Sequence, residues 1–296
     1  MNQLVHLIAL RKPFLLLGTA ALLVSSSLTL SSCGEKETTV TPQEPLTVQL
    51  ATTATLGSFL VDADGNTLYY FTLDTGGTSM CPSGPCLDAW PIFYDAKLTV
   101  GNGLKASDFA TITHPNGQLQ TTYKGWPLYY YAIKNTTTGQ YTREKPGEAL
   151  GQDLGHHWFV VRTDYSLMVG TKALLDKNTN TTSLKNFLID PQGRTLYTYA
   201  KDSKSPSTLP TNCTGSCATA WPVFFNSSVS LPTFADLKAS DFGTITRTDG
   251  TGNSTQKQLT YKGMPLYYCA GDNQTPGKTE GHNLTTNGEP WVVAEF

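Results

Sequence analysis

FLVDADGNTLYYFTLD, residues 59–74, recurs 128 positions later as FLIDPQGRTLYTYAKD, residues 187–202. Working outward, CLDAWPIF (86–93) matches CATAWPVF (217–224), LKASDFATIT (104–113) matches LKASDFGTIT (237–246), and YKGWPLYYYA (123–132) matches YKGMPLYYCA (261–270). A repeat of near-constant period decides architecture before any local assignment does. A weaker repeat lies inside each half: GNTLYYF (65–71) resembles GWPLYYY (125–131), and GRTLYTY (193–199) resembles GMPLYYC (263–269). Four copies of Gly-x-x-Leu-Tyr result. Each is followed by a Trp that opens a short apolar run: Trp90, Trp158, Trp221 and Trp291.

Each unit reads as four strands. Two β-branched or alternating segments come first (TVQLATT then GSFLVD; ATITH then QLQTTY; SLMVGTK then KNFLID; GTITR then KQLTY), a Gly-containing turn leads into the Leu-Tyr strand, and the Trp strand closes the unit. No stretch longer than about ten residues carries a 3.6 period, so helix is expected to be minor. The fold class is all-β, a tandem-repeat antiparallel β protein. Sixteen strands in four units suit a four-bladed β-propeller, with one four-stranded meander per blade. The alternative is two consecutive β-sandwich or barrel domains, joined through the polar segment at 174–182 (LLDKNTNTT). The halves are taken as 47–172 and 173–296.

The 296 residues are 39% apolar and only 15% charged, with a net charge of -2, which excludes disorder for the bulk and gives no basic surface for nucleic acid. Arg11 and Lys12 precede an apolar run from Phe14 to Val24 that fades into small residues, so residues 1–32 read as a secretion signal. Leu30, Ser31, Ser32 and Cys33 resemble the lipobox of bacterial lipoproteins, in which the Cys is acylated and becomes the new N-terminus. That resemblance implies lipidation at Cys33 and a membrane partner reached through the lipid. Residues 33–46 hold the lipidated Cys and a polar tether with two Pro, GEKETTVTPQEP (34–45). The acids and Lys just after Cys33 resemble those of surface-displayed lipoproteins, which points to the outer membrane and the cell surface.

Tyr69, Phe71 and Asp74 (YYFTLD), and Tyr197, Tyr199 and Asp202 (YTYAKD), carry Tyr-x-aromatic-x-x-Asp. With these the chain resembles the secreted repeat lipoproteins of unknown function, defined by tandem copies of Tyr-x4-Asp. Tyr267 and Asp272 form a third copy, with Cys269 where the family places an aromatic. The fourth copy departs further, because Tyr129 is followed by Lys134 where Asp is expected. If the Asp binds a ligand elsewhere, that unit has lost it. The resemblance spans nearly the whole mature chain and brings no reaction with it.

Export makes disulfides permissible, and Cys81 with Cys86 and Cys213 with Cys217 are expected to staple the loops before two of the Trp strands. Cys269 is expected to be a small buried residue. Asp74, Asp202 and Asp272 follow aromatic strands, where a carboxylate can accept backbone N–H bonds and hold a turn. The functional reading of the same acids is a pore lining or an oxygen-donor cation site, although the several alternating acids of a calcium loop are missing. His156, His157 and His282 sit beside Trp strands in loops, and packing or surface roles are expected for them and for His114. No metal set and no cofactor is assigned. Of the aromatic strand residues, one face must pack the core, and the other can leave Tyr rings at the surface for protein or glycan contacts. No Gly-x-Ser-x-Gly elbow and no phosphate loop occurs, so neither hydrolysis nor nucleotide binding is supported. The reading is an exported, lipid-anchored binding or scaffold module of the bacterial cell envelope that is not an enzyme. The alternative is an envelope redox or metal-binding protein using the paired Cys and the His residues.

Overall fold

The Asp that ends each FLxD strand starts the turn that follows it. In the computed structural model, Asp62 Oδ1 accepts the N–H groups of Asp64 and Asn66 at 3.0 and 2.8 Å, and Asp190 Oδ1 accepts those of Gln192 and Arg194 at 3.0 Å each. Gly65 (φ 86°) and Gly193 (φ 80°) take the left-handed position that closes the loop. The structure describes residues 47–202, 212–234, 236–247 and 256–296. The signal segment, Cys33 and the tether lie outside the described residues.

An antiparallel hairpin opens each repeat half, Val48–Thr53 with Gly57–Asp62 and Met168–Asp176 with Thr181–Ile189, and the second one straddles the boundary expected at 172/173. The polar stretch at 174–182, the linker of the two-domain alternative, forms the outer end of this second hairpin. A second hairpin per half, Phe109–Thr113 with Leu119–Tyr123 and Phe242–Thr246 with Lys257–Tyr261, turns through Lys-Gly into a two-residue strand, Trp126–Pro127 or Met264–Pro265. Both central residues of that turn have positive φ (Lys124 49° and Gly125 87°; Lys262 46° and Gly263 80°), the two-residue loop whose twist matches its strands.

The fourfold repeat appears as four rings of three backbone hydrogen bonds. In the first, Leu60 N donates to Val161 O, Val161 N to Leu68 O, and Leu68 N to Leu60 O, at 2.8, 3.0 and 3.0 Å. Phe93, Leu128 and Thr121 form the second, Leu188, Ala294 and Leu196 the third, and Phe224, Leu266 and Leu259 the fourth, all in the same sense at 2.8–3.0 Å. One member is always the Leu of Gly-x-x-Leu-Tyr, and Leu68, Leu128, Leu196 and Leu266 are all fully buried. Another always stands three residues after a repeat Trp.

The rings correct the expectation that each unit closes on its own Trp strand. Trp90 follows the first Leu-Tyr strand, but its segment supplies Phe93 to the second ring; Trp158 follows the second Leu-Tyr strand, and its segment returns to close the first. Tyr69–Phe71 accordingly pairs with Trp158–Val160, and Tyr197–Tyr199 with Glu289–Val293. Closing strands are thus exchanged within each half. The fold is all-β, with two five-residue α-helices, Pro85–Ala89 and Ser216–Ala220, among the described residues. Among the described residues the strands assemble as seven sheets of two or three strands, linked by isolated bridges such as Val61 with Thr67 and Ile189 with Thr195.

One apolar core runs through both halves, from Val48, Leu60 and Tyr70 to Leu266, Trp291 and Val293, and a second cluster in the first half gathers Phe59, Tyr69, Trp90, Tyr129 and Trp158. Tyr69, Tyr70, Tyr129, Tyr197 and Tyr199 are all fully buried. The expected split between core-facing and surface-facing rings therefore does not hold for these strands: Tyr69 and Tyr70 point to opposite faces and both faces are covered.

Candidate functional site

The Tyr and the acid of one motif never bond each other. They are exchanged like the strands. The Tyr129 hydroxyl donates to Asp74 Oδ2 at 2.7 Å, Tyr197 to Asp272 Oδ2 at 2.7 Å, and Tyr267 to Asp202 Oδ2 at 2.7 Å. Tyr69 has no Asp to reach, because Lys134 stands in its partner motif and is exposed. Its hydroxyl donates instead to Glu144 Oε1 at 2.6 Å. Glu144 occupies the place of the missing Asp. Its N–H bonds Tyr131 O, as Asp74 N bonds Phe71 O, Asp202 N bonds Tyr199 O and Asp272 N bonds Cys269 O. Between Tyr131 and Glu144 the chain inserts a hairpin, Ala132–Lys134 with Tyr141–Arg143, and then resumes the pattern. The unit that seemed to have lost its acid has only displaced it.

Each acid also holds the loop that follows. Its second oxygen accepts a backbone N–H from Met80, Leu150, Asn212 or Glu280, for Asp74, Glu144, Asp202 and Asp272 respectively, at 2.5–2.9 Å. The turn-holding role expected for the three Asp is what the structure displays. Burial pushes all four acids above their ordinary values, against the opposing pull of these hydrogen bonds, and Asp74 reaches about 7. Burial, with the facing carboxylate, raises the hydroxyls of Tyr69, Tyr129 and Tyr197 as well.

Two stacked Trp rings stand at the centre of each half. Trp90 and Trp158 lie 3.8 Å apart at 4°, and Trp221 and Trp291 lie 3.7 Å apart at 3°. Phe71 stacks on the outside of Trp158 and Tyr199 on the outside of Trp291, while Tyr131 covers Trp90 at 4.7 Å. Cys269 occupies the fourth outer position and is buried, as expected. The motif tyrosines meet the Trp rings edge-on. A Cβ on Gly151 would fall 2.9 Å from Trp90 and Tyr69, and one on Gly281 would fall 2.9 Å from Trp221 and Tyr197. These approaches close one side of the Tyr69 and Tyr197 rings, while Asp272 and Cys269 border a cleft of about 420 Å³ beside Arg194 and Tyr268.

The cysteines pair as expected, Cys81 with Cys86 and Cys213 with Cys217. A buried side chain at matching positions of the two halves holds each loop: His114 Nε2 lies 3.1 Å from Cys81 O, and Arg247 donates to Cys213 O at 2.6 Å. Replacing either cysteine pair by Ser is expected to cost about 2 kcal/mol, from the loop-closure entropy of so short a ring. Urea denaturation of each double variant measures it; an unchanged midpoint would refute the estimate. His156 contacts Asp153 at 3.0 Å and His157 contacts Thr72 at 3.0 Å, while Nδ1 of His282 lies 3.3 Å from the Val293 N–H. The histidines thus serve separate local contacts, and among the described residues no group of three or more His, Cys, Asp or Glu converges on one point.

The raised Asp74 gives a pH prediction. A carboxyl whose folded value lies above its unfolded value of about 3.9 contributes stability fully below pH 4, and that contribution is lost as pH rises through about 7. Asp74→Asn keeps one oxygen to accept the Met80 N–H and turns its amide N–H2 toward the Tyr129 oxygen, without the titration. Between pH 4 and 8 the wild type is expected to lose up to about 4 kcal/mol relative to Asp74→Asn. Denaturant midpoints at both ends of that range read the difference, and parallel pH curves would count against it.

Among the described residues no helix is long and apolar enough to cross a membrane. No curated protein and no solved structure matches the chain. A family described as a secreted repeat of unknown function matches it at residues 50–93, 110–138, 178–224 and 243–295. Those four segments carry the Gly-x-x-Leu-Tyr strands, three of the four Trp strands and most of the acids that bind the tyrosines, and the chain belongs to that family of secreted repeats.

Proposed function

We propose that this protein is a non-catalytic binding or scaffold module of the bacterial envelope, held at the outer membrane by a lipid on Cys33. The carrying observation is that the motif spends its chemistry internally. The hydroxyls of Tyr69, Tyr129, Tyr197 and Tyr267 and both oxygens of each of the four acids are engaged by other groups of the same half. A site that must turn over substrate keeps groups accessible in a pocket. The four cysteines that a redox or metal role would use are taken up as two disulfides that brace loops.

Native mass spectrometry without reductant, on residues 34–296 made in an oxidising compartment, tests this reading. A mass short of the reduced chain by four hydrogens and free of metal is expected; free thiols at the four cysteines or a stoichiometric metal adduct would overturn the binding-only reading in favour of the redox or metal one. Anchoring is tested separately. A variant in which a cleavable secretion signal without a lipidated Cys replaces residues 1–33 is expected to move from the membrane pellet to the soluble envelope fraction, because only the polar tether then precedes its fold. Retention of this variant in the pellet would rule out the lipid as the anchor.

A further inference from the structure

The two halves treat one equivalent place differently. In the first half, Tyr70, Trp126 and Phe159 pack together, with Tyr70 5.1 Å from Trp126 and 5.8 Å from Phe159. Tyr165, Met168 and Pro191 cover them, Trp126 Nε1 donates to Pro191 O at 3.3 Å, and a void of only about 10 Å³ is left. In the second half the matching residues are Thr198, Met264 and Val292. All three rings have been replaced by smaller side chains. The result is an open cleft of about 420 Å³, within the size range of small-ligand sites.

Neighbouring structure deepens this cleft. The hairpin Met168–Asp176 with Thr181–Ile189 is three residues longer per strand than its counterpart Val48–Thr53 with Gly57–Asp62, and its outer part forms one wall. That wall is pinned: the Asn283 amide and His282 Nε2 both contact Leu175 O, at 2.8 and 3.1 Å, and Lys177 Nζ donates to Asn283 O at 2.7 Å. Tyr261 lines the cleft, with the Lys262 ammonium 5.0 Å from the centre of its ring.

We infer that this cleft binds an aromatic ring from outside the chain, of indole or phenol size, in the space that Trp126, Tyr70 and Phe159 fill in the first half. Met264, Val292 and Ala294 supply apolar contact, and Tyr261 and the polar rim supply hydrogen bonds to the edge of the ring. The inference deepens the binding-module reading and rests on it. A simpler fate for such a face is a solvated end of the repeat array, with small and polar residues where an inner unit has large ones. The pinned wall favours occupancy.

The test titrates residues 34–296, carrying methyl-labelled Met, with indole, phenol, N-acetyl-tryptophanamide and cyclohexanol while the Met264 methyl is followed by NMR. Saturable shifts with indole or phenol are expected, with cyclohexanol at least tenfold weaker. Met264→Trp restores the residue of the first half and is expected to fold with an equal or higher melting temperature. In that variant, indole binding read by calorimetry should weaken at least tenfold. If N-acetyl-tryptophanamide binds within threefold of indole, the ring comes from a peptide; if indole alone binds, it comes from a small molecule. No saturation by any aromatic probe, equal binding of cyclohexanol, or unchanged binding by a folded Met264→Trp would overturn the inference. None of these results alters the adduct or membrane-fraction outcomes that test the proposed function.

Discussion

Trp291→Ala loses about 4 kcal/mol of folding stability, as read by chemical denaturation at neutral pH. Trp291 is fully buried, stacks on Trp221 at 3.7 Å and on Tyr199 at 4.3 Å, and meets Tyr267 edge-on at 5.1 Å. Truncation removes those contacts and leaves a cavity whose walls are held by the third ring of backbone bonds, so the site cannot collapse to fill it. Buried Trp or Phe to Ala changes cost roughly 3–5 kcal/mol, and aromatic pairs add to the area effect. The indole N–H, which donates to Thr286 Oγ1 at 3.0 Å, is lost with the ring. Leu284→Ala, a change at an exposed position, should stay within about 0.5 kcal/mol. Because one core spans both halves, unfolding of the variant should remain a single transition. A loss under about 1 kcal/mol would mean that the stacked pair is not central to the fold.

Glu144→Ala is expected to cost about 3 kcal/mol, and Lys134→Ala less than about 0.5 kcal/mol. The contrast separates the motif as written from the motif as folded. Removing the Glu144 carboxylate leaves the buried Tyr69 hydroxyl without its acceptor, at about 1–3 kcal/mol, and takes the partner of the Leu150 N–H, which water replaces in part because Leu150 is exposed. Lys134 is exposed, on the inserted hairpin, with its ammonium 5.6 Å from the centre of the Tyr141 ring. Such an exposed contact contributes little. A double-mutant cycle with Tyr69→Phe and Glu144→Gln should give a coupling of about 1–2 kcal/mol, since the two side chains share one hydrogen bond. Equal effects of Glu144→Ala and Lys134→Ala would refute the reassignment of the acid.

Much of this was legible in the chain because the repeats are both local and recurrent. The turn Asp, the Lys-Gly loops, the Leu-Tyr strands and the Trp runs stand at matching places, and each meets a local requirement: an N–H acceptor, a left-handed residue, a β-branched or aromatic strand. The cysteine pairs could be placed for the same reason. What could not be read was pairing. Whether Phe93 closes on Leu68 or Leu128 depends on contacts across the chain, and the two choices leave the same local pattern. Four similar units therefore suggested four self-contained blades, whereas the structure exchanges the closing strands within each half. Glu144 was hidden by a related cause. A fixed Tyr-x4-acid spacing assumes that nothing is inserted, and a whole hairpin separates Tyr131 from Glu144. The signal was available, since an insertion between two anchors of a repeat postpones the next required residue rather than deleting it. Strand alternation assigns Tyr69 and Tyr70 to opposite faces, but it does not show that rings distant in sequence cover both, Trp90 on Tyr69 and Trp126, Phe159 and Tyr165 on Tyr70.

The four rings of backbone bonds also set an order of events in time. Leu60 and Leu68 are made early, yet the strand that completes their ring arrives with Val161, about a hundred residues later, and Leu188 waits about as long for Ala294. A chain that emerges from an export channel one residue at a time cannot lock its first unit until the second has followed, and contacts this distant in sequence make for slow folding. A copy shortened between Trp90 and Trp158 would hold neither a finished first unit nor a spare second one. The smallest segment that carries complete rings is therefore the half, a pair of repeats.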